Sequence, residues 1–519
     1  MKILLADYFL SSSSQIMKKA TTIILFYSLI NKFNKKTNNF LFSKQNTTLH
    51  PIMTNPKYNH WYLIGSTVAA SLNFFFWGYS FSVFNSLREL IQKEVFPEAD
   101  SDLITLIITA PFLTAIPGSF IAGPLATKVG RRKMLIISNI VGIIAVLITL
   151  ISSLFVIILG RLLLGFTLGL ASVIVNLYII ETVPLEHRGR CFGFANILKT
   201  LGTLFGYIEG LQVPNTISPD STSQVWRVLL GVSFIPPLIS ALALLIFFRH
   251  ETPNYWVSKD ELEKATTSIR QVFKTHFIER LDEIIKEKEY VASQGKIKYK
   301  DLFKEKYRLA LIVAIMLLTI RELAPFDLLS VNFQDLISLG SKNPSKDFPK
   351  IMSVVFGCVL LISDIARNIF ASKLNVKVGV VFGILGFGIC DLLFGILGLT
   401  LGSENLLSKI FLLIWPVFYV LSVSSFAFLN AAEALPPKAV SLATTANLLF
   451  GFLTVQIYPH LRDSVGEHQV FIGLGCIAFL SIPFFWKNLV NPEGKNKDEI
   501  LKAYVKDDNE ERTKLLSSS

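Results

Sequence analysis

The sequence predicts an all-α protein that crosses a membrane about twelve times, arranged as two halves of six spans. Three observations carry that prediction. The 519 residues are 51% hydrophobic with 42 Phe, and the mean hydropathy is +0.51, too apolar for an ordinary soluble chain. Apolar runs near the roughly 20 residues needed to cross a bilayer recur along it. Backbone groups in lipid must be satisfied internally, so such runs are helices. Finally, one long charged segment divides the runs six and six.

In order, the spans start near Tyr62, Leu103, Met134, Leu154, Cys191 and Trp226, then near Arg308, Ile351, Val378, Lys409, Ala439 and Val470. They are called spans one to twelve below. The expected division is an N-terminal extension (1–57), a first six-helix half (58–250), a linker (251–307), a second half (308–489) and a tail (490–519). The extension is expected to be disordered or spurious. Its apolar stretch Ile23 to Ile30 is too short to span and has polar, basic flanks, and Met53 sits naturally ahead of span one. The sequon at Asn46-Thr47-Thr48 would then be cytoplasmic and unused. In the linker, Leu262, Ala265, Ile269, Val272, Phe273, Leu281, Ile284 and Ile285 recur at helical intervals, which predicts short amphipathic helices under the membrane domain. A solvated linker with some helix is the plainer alternative.

Orientation follows from Lys and Arg. The segments Lys128 to Lys133, Glu186 to Arg190, Arg249 to Arg308 and the tail are basic and fall on one side, whereas Glu94 to Asp102 opposite them is acidic. The positive-inside rule makes the basic side cytoplasmic, with both termini inside. The loop from Ser338 to Lys350 is the exception. The net charge of +12 is thus topology, and no soluble basic domain exists to hold a nucleic acid. Cys191, Cys358, Cys390 and Cys476 all stand in apolar helix contexts without metal spacing and are expected to be packing residues. Seven histidines form no catalytic or metal constellation, and no phosphate-cradling G-x-x-x-x-G-K-[ST] is present. An enzyme, a bound cofactor and ATP-driven transport are therefore not expected.

The most informative stretch runs from Gly160 to Gly189. An apolar helix with Gly165 and Gly169 for close packing ends in Tyr178, Glu181, Pro184 and Arg188 at a helix mouth. After span two comes Gly123-Pro-Leu-Ala-Thr-Lys128-Val-Gly130-Arg131-Arg132, and after span six His250-Glu251-Thr-Pro253-Asn254-Tyr255-Trp256. Span one holds Gly78-Tyr79-Ser-Phe-Ser-Val83-Phe-Asn85, and the tail Pro492-Glu493-Gly-Lys495 with Asp498-Glu499-Ile500. Together these resemble the ordered motifs of sugar porters in the major facilitator superfamily, especially animal facilitated glucose transporters, over roughly Tyr62 to Ile500. Thr127 stands where an Asp is usual, and Asn254 where an Arg is.

The resemblance implies two pseudo-symmetric six-helix halves that rock around a midplane site, working as a monomer in the lipid bilayer, with the plasma membrane as the expected location. It assigns Arg131, Arg132, Arg161, Glu181, Arg188 and Glu251, with Glu433 and Lys438 from the other half, to a cytoplasmic charge network that parts when the inside opens. It also assigns a sugar site, and there the second half departs from the pattern. Asn196 replaces a span-five Gln. Span seven reads Arg321-Glu322-Leu-Ala-Pro325-Phe-Asp327 where Q-Q-L-S-G-x-N is usual, and span ten has lost its hinge prolines, with Phe428 in place of Trp. Asn447 matches an Asn of span eleven, and the G-R-R loop after span eight has become Ser372-Lys373-Leu-Asn-Val-Lys377.

Charges deep in a membrane are functional suspects. Arg321, Glu322 and Asp327 bind a charged or zwitterionic solute, or Arg321 and Asp327 neutralise each other, or all three are drift. Asp364 and Arg367, three apart on span eight, read as a structural pair; Asp391 and Glu209 have no evident partner. Proton-linked members resemble one another in an Asp where this sequence has Ser80, and Arg161 matches the Arg that faces it. Passive facilitation of a hexose or similar polar solute is therefore the leading expectation. A carrier for a different, charged organic solute and a non-transporting receptor-like paralogue are the alternatives.

Overall fold

The computed structural model describes residues 57–98, 101–213, 224–293, 298–339, 347–370, 375–491 and 499–505. The N-terminal extension with its sequon, most of the Ser338 to Lys350 loop, Ser372-Lys373-Leu374 and the tail motif from Pro492 to Asp498 lie outside the described residues.

Helices account for the predicted spans. They are His60–Leu90, Ser101–Val129, Arg131–Thr149, Leu154–Thr182, Leu185–Gly210 and a sixth in two pieces, Val225–Val232 and Ile235–Ile246. Span seven is also in two pieces, Glu305–Leu323 and Phe326–Ser338, followed by Asp347–Phe370 and Val376–Leu401. Span ten runs from Leu406–Tyr419 through a π-turn, Val420–Ser424, to Ser425–Ala434; Pro437–Val465 and Glu467–Asn488 complete the set. Among the described residues, 11 helices are long and apolar enough to cross a membrane. Span one falls short because Ser66, Thr67, Ser71, Asn73, Ser80, Ser82, Asn85 and Ser86 dilute it. All eight are buried against protein, and Ser66, Thr67, Ser82 and Ser86 return their hydroxyls to carbonyls of their own helix. Large apolar side chains face outward instead, among them Leu147, Phe155, Ile239, Phe382 and Leu480, as a lipid-facing surface requires.

Small residues set the closest approaches. A Cβ on Gly165 or Gly169 would land on the backbone of Pro111 or Ala115, so spans two and four touch main chain to main chain. Across the halves, spans two and eleven form a seam bonded along its length. Thr109 Oγ1 donates to Gln456 Oε1 at 2.9 Å, Ser119 and Thr445 share a hydrogen bond of 2.9 Å, and the Gly123 amide donates to Ser441 Oγ at 2.8 Å.

The linker folds as Pro253–Ser258, Leu262–Val272, Phe277–Ser293 and a 3₁₀ turn, Tyr299–Phe303. Val257, Ala265, Ile269 and Ile284 make a small core of their own, while Leu262, expected on that face, is exposed. The strand-like residues before span one join it: Asn59 N donates to Val272 O at 2.8 Å and Lys274 N to Lys57 O at 2.8 Å. Of the cysteines, Cys191 and Cys390 are buried, but Cys476 is exposed on span twelve, facing outward where a packing role was expected.

Candidate functional site between the halves

Two irregular helices build the centre of the molecule. Pro325 supplies no amide hydrogen, so span seven breaks after Ala324, whose backbone is extended (φ −71°, ψ 103°). Arg321 and Glu322 thereby end one half-helix and Asp327 opens the next. Arg321 near carbonyl ends and Asp327 near amide ends are each favourably placed against the helix dipoles. Span ten has lost its hinge prolines, yet keeps an irregularity there in its π-turn, one turn beyond Pro416.

At the break, the Arg321 guanidinium pairs with the Glu322 carboxylate and donates to Asn447 Oδ1 at 3.3 Å. It lies 5.2 Å over the Phe428 ring. Asp327 is held differently from the sequence expectation: its nearest cation is Lys199 of span five, with Nζ 4.0 Å from Oδ1. The Arg321–Asp327 pairing is thus corrected, because neighbouring Glu322 swings back to take the guanidinium. Lys199 rests 4.6 Å from the Phe326 ring and 5.6 Å from Trp77 of span one. Sequence reasoning missed it, although it stands mid-helix and one turn from Asn196. Asn196 itself donates Nδ2 to Phe192 O of its own helix at 3.1 Å. The predicted residues Arg321, Glu322, Asp327, Phe428 and Asn447 therefore converge, with Lys199 as their unpredicted member.

One layer away, Asp364 and Arg367 are both buried and lie within each other's electrostatic reach, as a structural pair would, without a direct ion pair between them. Asp364 Oδ2 accepts from Thr200 Oγ1 of the other half at 2.5 Å, and Arg367 stacks 4.4 Å over Phe426. Glu209 does have a partner, accepting from Gln212 Nε2 at 2.5 Å.

On the face that carries the linker, Arg131 grips Glu181, with Nη2 at 2.7 Å and Nε at 2.9 Å from Oε1. Thr252 Oγ1 donates to Glu181 Oε2 at 2.6 Å. Glu251 caps span three, accepting from the Arg132 amide at 2.7 Å and the Lys133 amide at 3.2 Å. Gly130 (φ 111°) makes that cap possible, since a Cβ there would collide with the Glu251 carboxylate. Arg132 in turn caps span six, donating to Leu244 O and Phe248 O at 2.8–3.0 Å. Burial and the Arg132 guanidinium hold the neighbouring His250 imidazole below its usual range, hence uncharged at neutral pH. These contacts lie within the first half and its linker. Arg188 donates to Val183 O at 3.3 Å and feels the Glu433 carboxylate across the halves, while Lys438 lies 5.6 Å from the Tyr299 ring.

Arg161 does not belong to this network. It lies early in span four, away from the linker face, with its guanidinium 4.2 Å over Phe84 and its N–H groups on the carbonyls of Ile107, Ile108 and Ser80. Nor did the sequence single out the contacts that join the halves on the far face. Arg88 pairs with Asp335 at 3.5 Å, Lys350 Nζ donates to Val213 O at 2.7 Å, and Asn85 Nδ2 and Tyr207 OH both donate to Ser330 O.

A family model described as "Sugar (and other) transporter" matches residues 65–504. The chain is 25% identical over 440 residues to the glucose transporter GlcP of Staphylococcus epidermidis, covering 83% of this chain and 95% of that protein. It is 23% identical over 403 residues to the pig facilitated glucose transporter member 2, covering 75% and 74%. Among solved structures, the proton:xylose symporter XylE bound to 6-bromo-6-deoxy-D-glucose superposes with a TM-score of 0.75 at 19% identity, over 86% of this chain and 99% of that one. At that identity the superposition establishes the major facilitator fold.

Proposed function

Starting from the fact that the chain belongs to the sugar (and other) transporter family, we propose that it is a uniporter for a hexose or similar neutral, polyhydroxylated solute, working by alternating access. The observation that carries this reading is that the central charges balance among themselves. Arg321 has Glu322 and Lys199 has Asp327 between the halves, with Arg321, Glu322 and Asp327 buried and Lys199 partly buried. A site whose ions already neutralise one another selects no net charge in its solute. It does offer fixed donors and acceptors to hydroxyl groups, beside the aromatic faces of Trp77, Phe326 and Phe428.

Uniport is supported by Ser80, which carries no exchangeable charge beside Arg161. Alternating access is supported by inter-half contacts on both faces, of which the solvent-accessible Arg88–Asp335 pair is worth roughly 0–1 kcal/mol and is replaceable at small cost. The linker face, rich in Lys and Arg, is taken as cytoplasmic. On this reading Glu181 and Arg188 tune the rate of the conformational change more than solute affinity.

A second reading, a solute bearing a carboxylate, is favoured by the looseness of the 4.0 Å Lys199–Asp327 pair, which an incoming anion could replace. The test is uptake by purified protein in liposomes across D-glucose, D-xylose, D-glucuronate and an amino acid. Saturable D-glucose or D-xylose uptake that a pH gradient leaves unchanged is expected. Uptake of glucuronate alone selects the second reading, and uptake of none rejects transport of these classes.

A further inference from the structure

Span nine carries one acid in its interior, Asp391, for which transport has so far needed no role. It is 0% exposed. Among the described residues no Lys, Arg or His reaches it. An ionised carboxylate in that position would bear its desolvation cost with nothing to offset it. Across the contact with span ten Asp391 faces Trp415, whose ring packs 6.1 Å from that of Phe387, one turn before Asp391 on span nine. Both Asp391 carboxyl oxygens and the Trp415 indole nitrogen are buried, and none of the three makes a full hydrogen bond with any described residue, each other included.

Trp415 begins a ladder of rings leading to the central site. Its ring stacks on Tyr419 with centroids 4.9 Å apart and planes at 16°. Tyr419 stacks on Phe326 at 5.1 Å and 7°. Phe326 lies under Lys199 and directly precedes Asp327. Trp415 and Tyr419 are each at most 2% exposed, so the rings have little room to turn independently. What fixes the first ring sets the others. An indole has a single polar atom, so one acceptor suffices to select its orientation.

We propose that Asp391 is a positioning residue for the central site: its carboxyl engages the Trp415 indole N–H and so fixes the Trp415–Tyr419–Phe326 stack beneath Lys199 and Asp327. The role requires an oxygen acceptor and no charge, so Asn fulfils it and Leu does not. It rests on the reading that the central cluster holds the transported solute.

The test uses full-length protein in nanodiscs and in liposomes, with Asp391→Asn, Asp391→Leu, Trp415→Phe and the Asp391→Leu/Trp415→Phe double variant. The chain has 6 Trp, so its indole N–H spectrum is short, and the Trp415 signal is the one missing from Trp415→Phe. That signal is expected to move upfield in Asp391→Leu and to stay within its native region in Asp391→Asn. For D-glucose or D-xylose uptake, Asp391→Leu and Trp415→Phe each raise KM about fivefold at unchanged maximal rate, the scale of one lost hydrogen bond. Asp391→Asn stays within about twofold by the same scale, and the double variant matches either single one. An unmoved indole signal, an additive double variant, or a native KM in Trp415→Phe overturns the proposal. The last holds even if Asp391→Leu fails to fold. A native protein without sugar uptake removes the transport reading and the positioning role with it, while the indole signal reports separately whether the pair exists.

Discussion

Removing Lys199 should damage the protein far more than removing Lys199 and Asp327 together. The two groups are 4.0 Å apart with about an eighth of each side chain exposed. At an effective dielectric near 20, unit charges at that distance attract by about 4 kcal/mol, less the cost of drying both. Lys199→Met leaves the Asp327 carboxylate beside that of Glu322 with only Arg321 for both, and breaking a buried pair in this way typically costs about 3–5 kcal/mol. Lys199→Met/Asp327→Asn removes both charges and should cost no more than about 1 kcal/mol, as neutral replacements of buried pairs usually do. The assay is thermal unfolding of detergent-purified protein, followed by fluorescence-detected size exclusion, with all four members of the cycle run together. The expected pattern is a clearly lowered midpoint for Lys199→Met, largely restored in the double variant. Additive losses, or a single variant as stable as the native protein, would refute the electrostatic account of the cluster.

Other perturbations have equally definite outcomes. Ser80→Asp places a carboxylate beside Arg161, whose Nη1 already reaches the Ser80 carbonyl at 3.5 Å; sugar uptake should then become sensitive to a pH gradient, measured in liposomes with imposed gradients. Arg161→Met should be tolerated within about 1 kcal/mol, since no acid is left unpaired by it; a collapsed melting midpoint would contradict that. Gly165→Leu drives a side chain into the Pro111 backbone and should prevent recovery of monodisperse protein, while Gly165→Ala should cost about 1–3 kcal/mol in melting experiments. Glu251→Ala uncaps span three and should cost about 0.5–2 kcal/mol on the same assay, with maximal transport rate falling more than affinity.

Much of this architecture was legible in the residues. Hydrophobic length marked the spans because lipid imposes helices on any backbone that crosses it. Span one illustrates the limit of that signal: its serines and asparagines belong to the protein interior, and hydropathy cannot tell an interior face from water. The break in span seven was not anticipated, although Pro325 carries its cause locally in a missing amide. Pairing is not local. Whether Arg321 reaches Glu322 beside it or Asp327 six residues on depends on where the broken helix turns each side chain. The same holds for Asp364, which crosses to Thr200 and leaves Arg367 over a ring. Lys199 was open to the very rule that flagged Arg321, a charge in mid-membrane. It was passed over because the family pattern drew attention to Asn196, one turn earlier. The far-face contacts rest on backbone carbonyls such as Ser330 and Val213, which leave no trace in residue type.

The central claim, a charge-balanced site moving a neutral solute without a coupled ion, is tested most directly by labelled D-glucose equilibrium exchange in liposomes clamped at defined voltage and pH difference. The account predicts a flux that is the same at zero and at imposed membrane potential, and with or without a pH gradient. Accumulation of sugar driven by either gradient would contradict it.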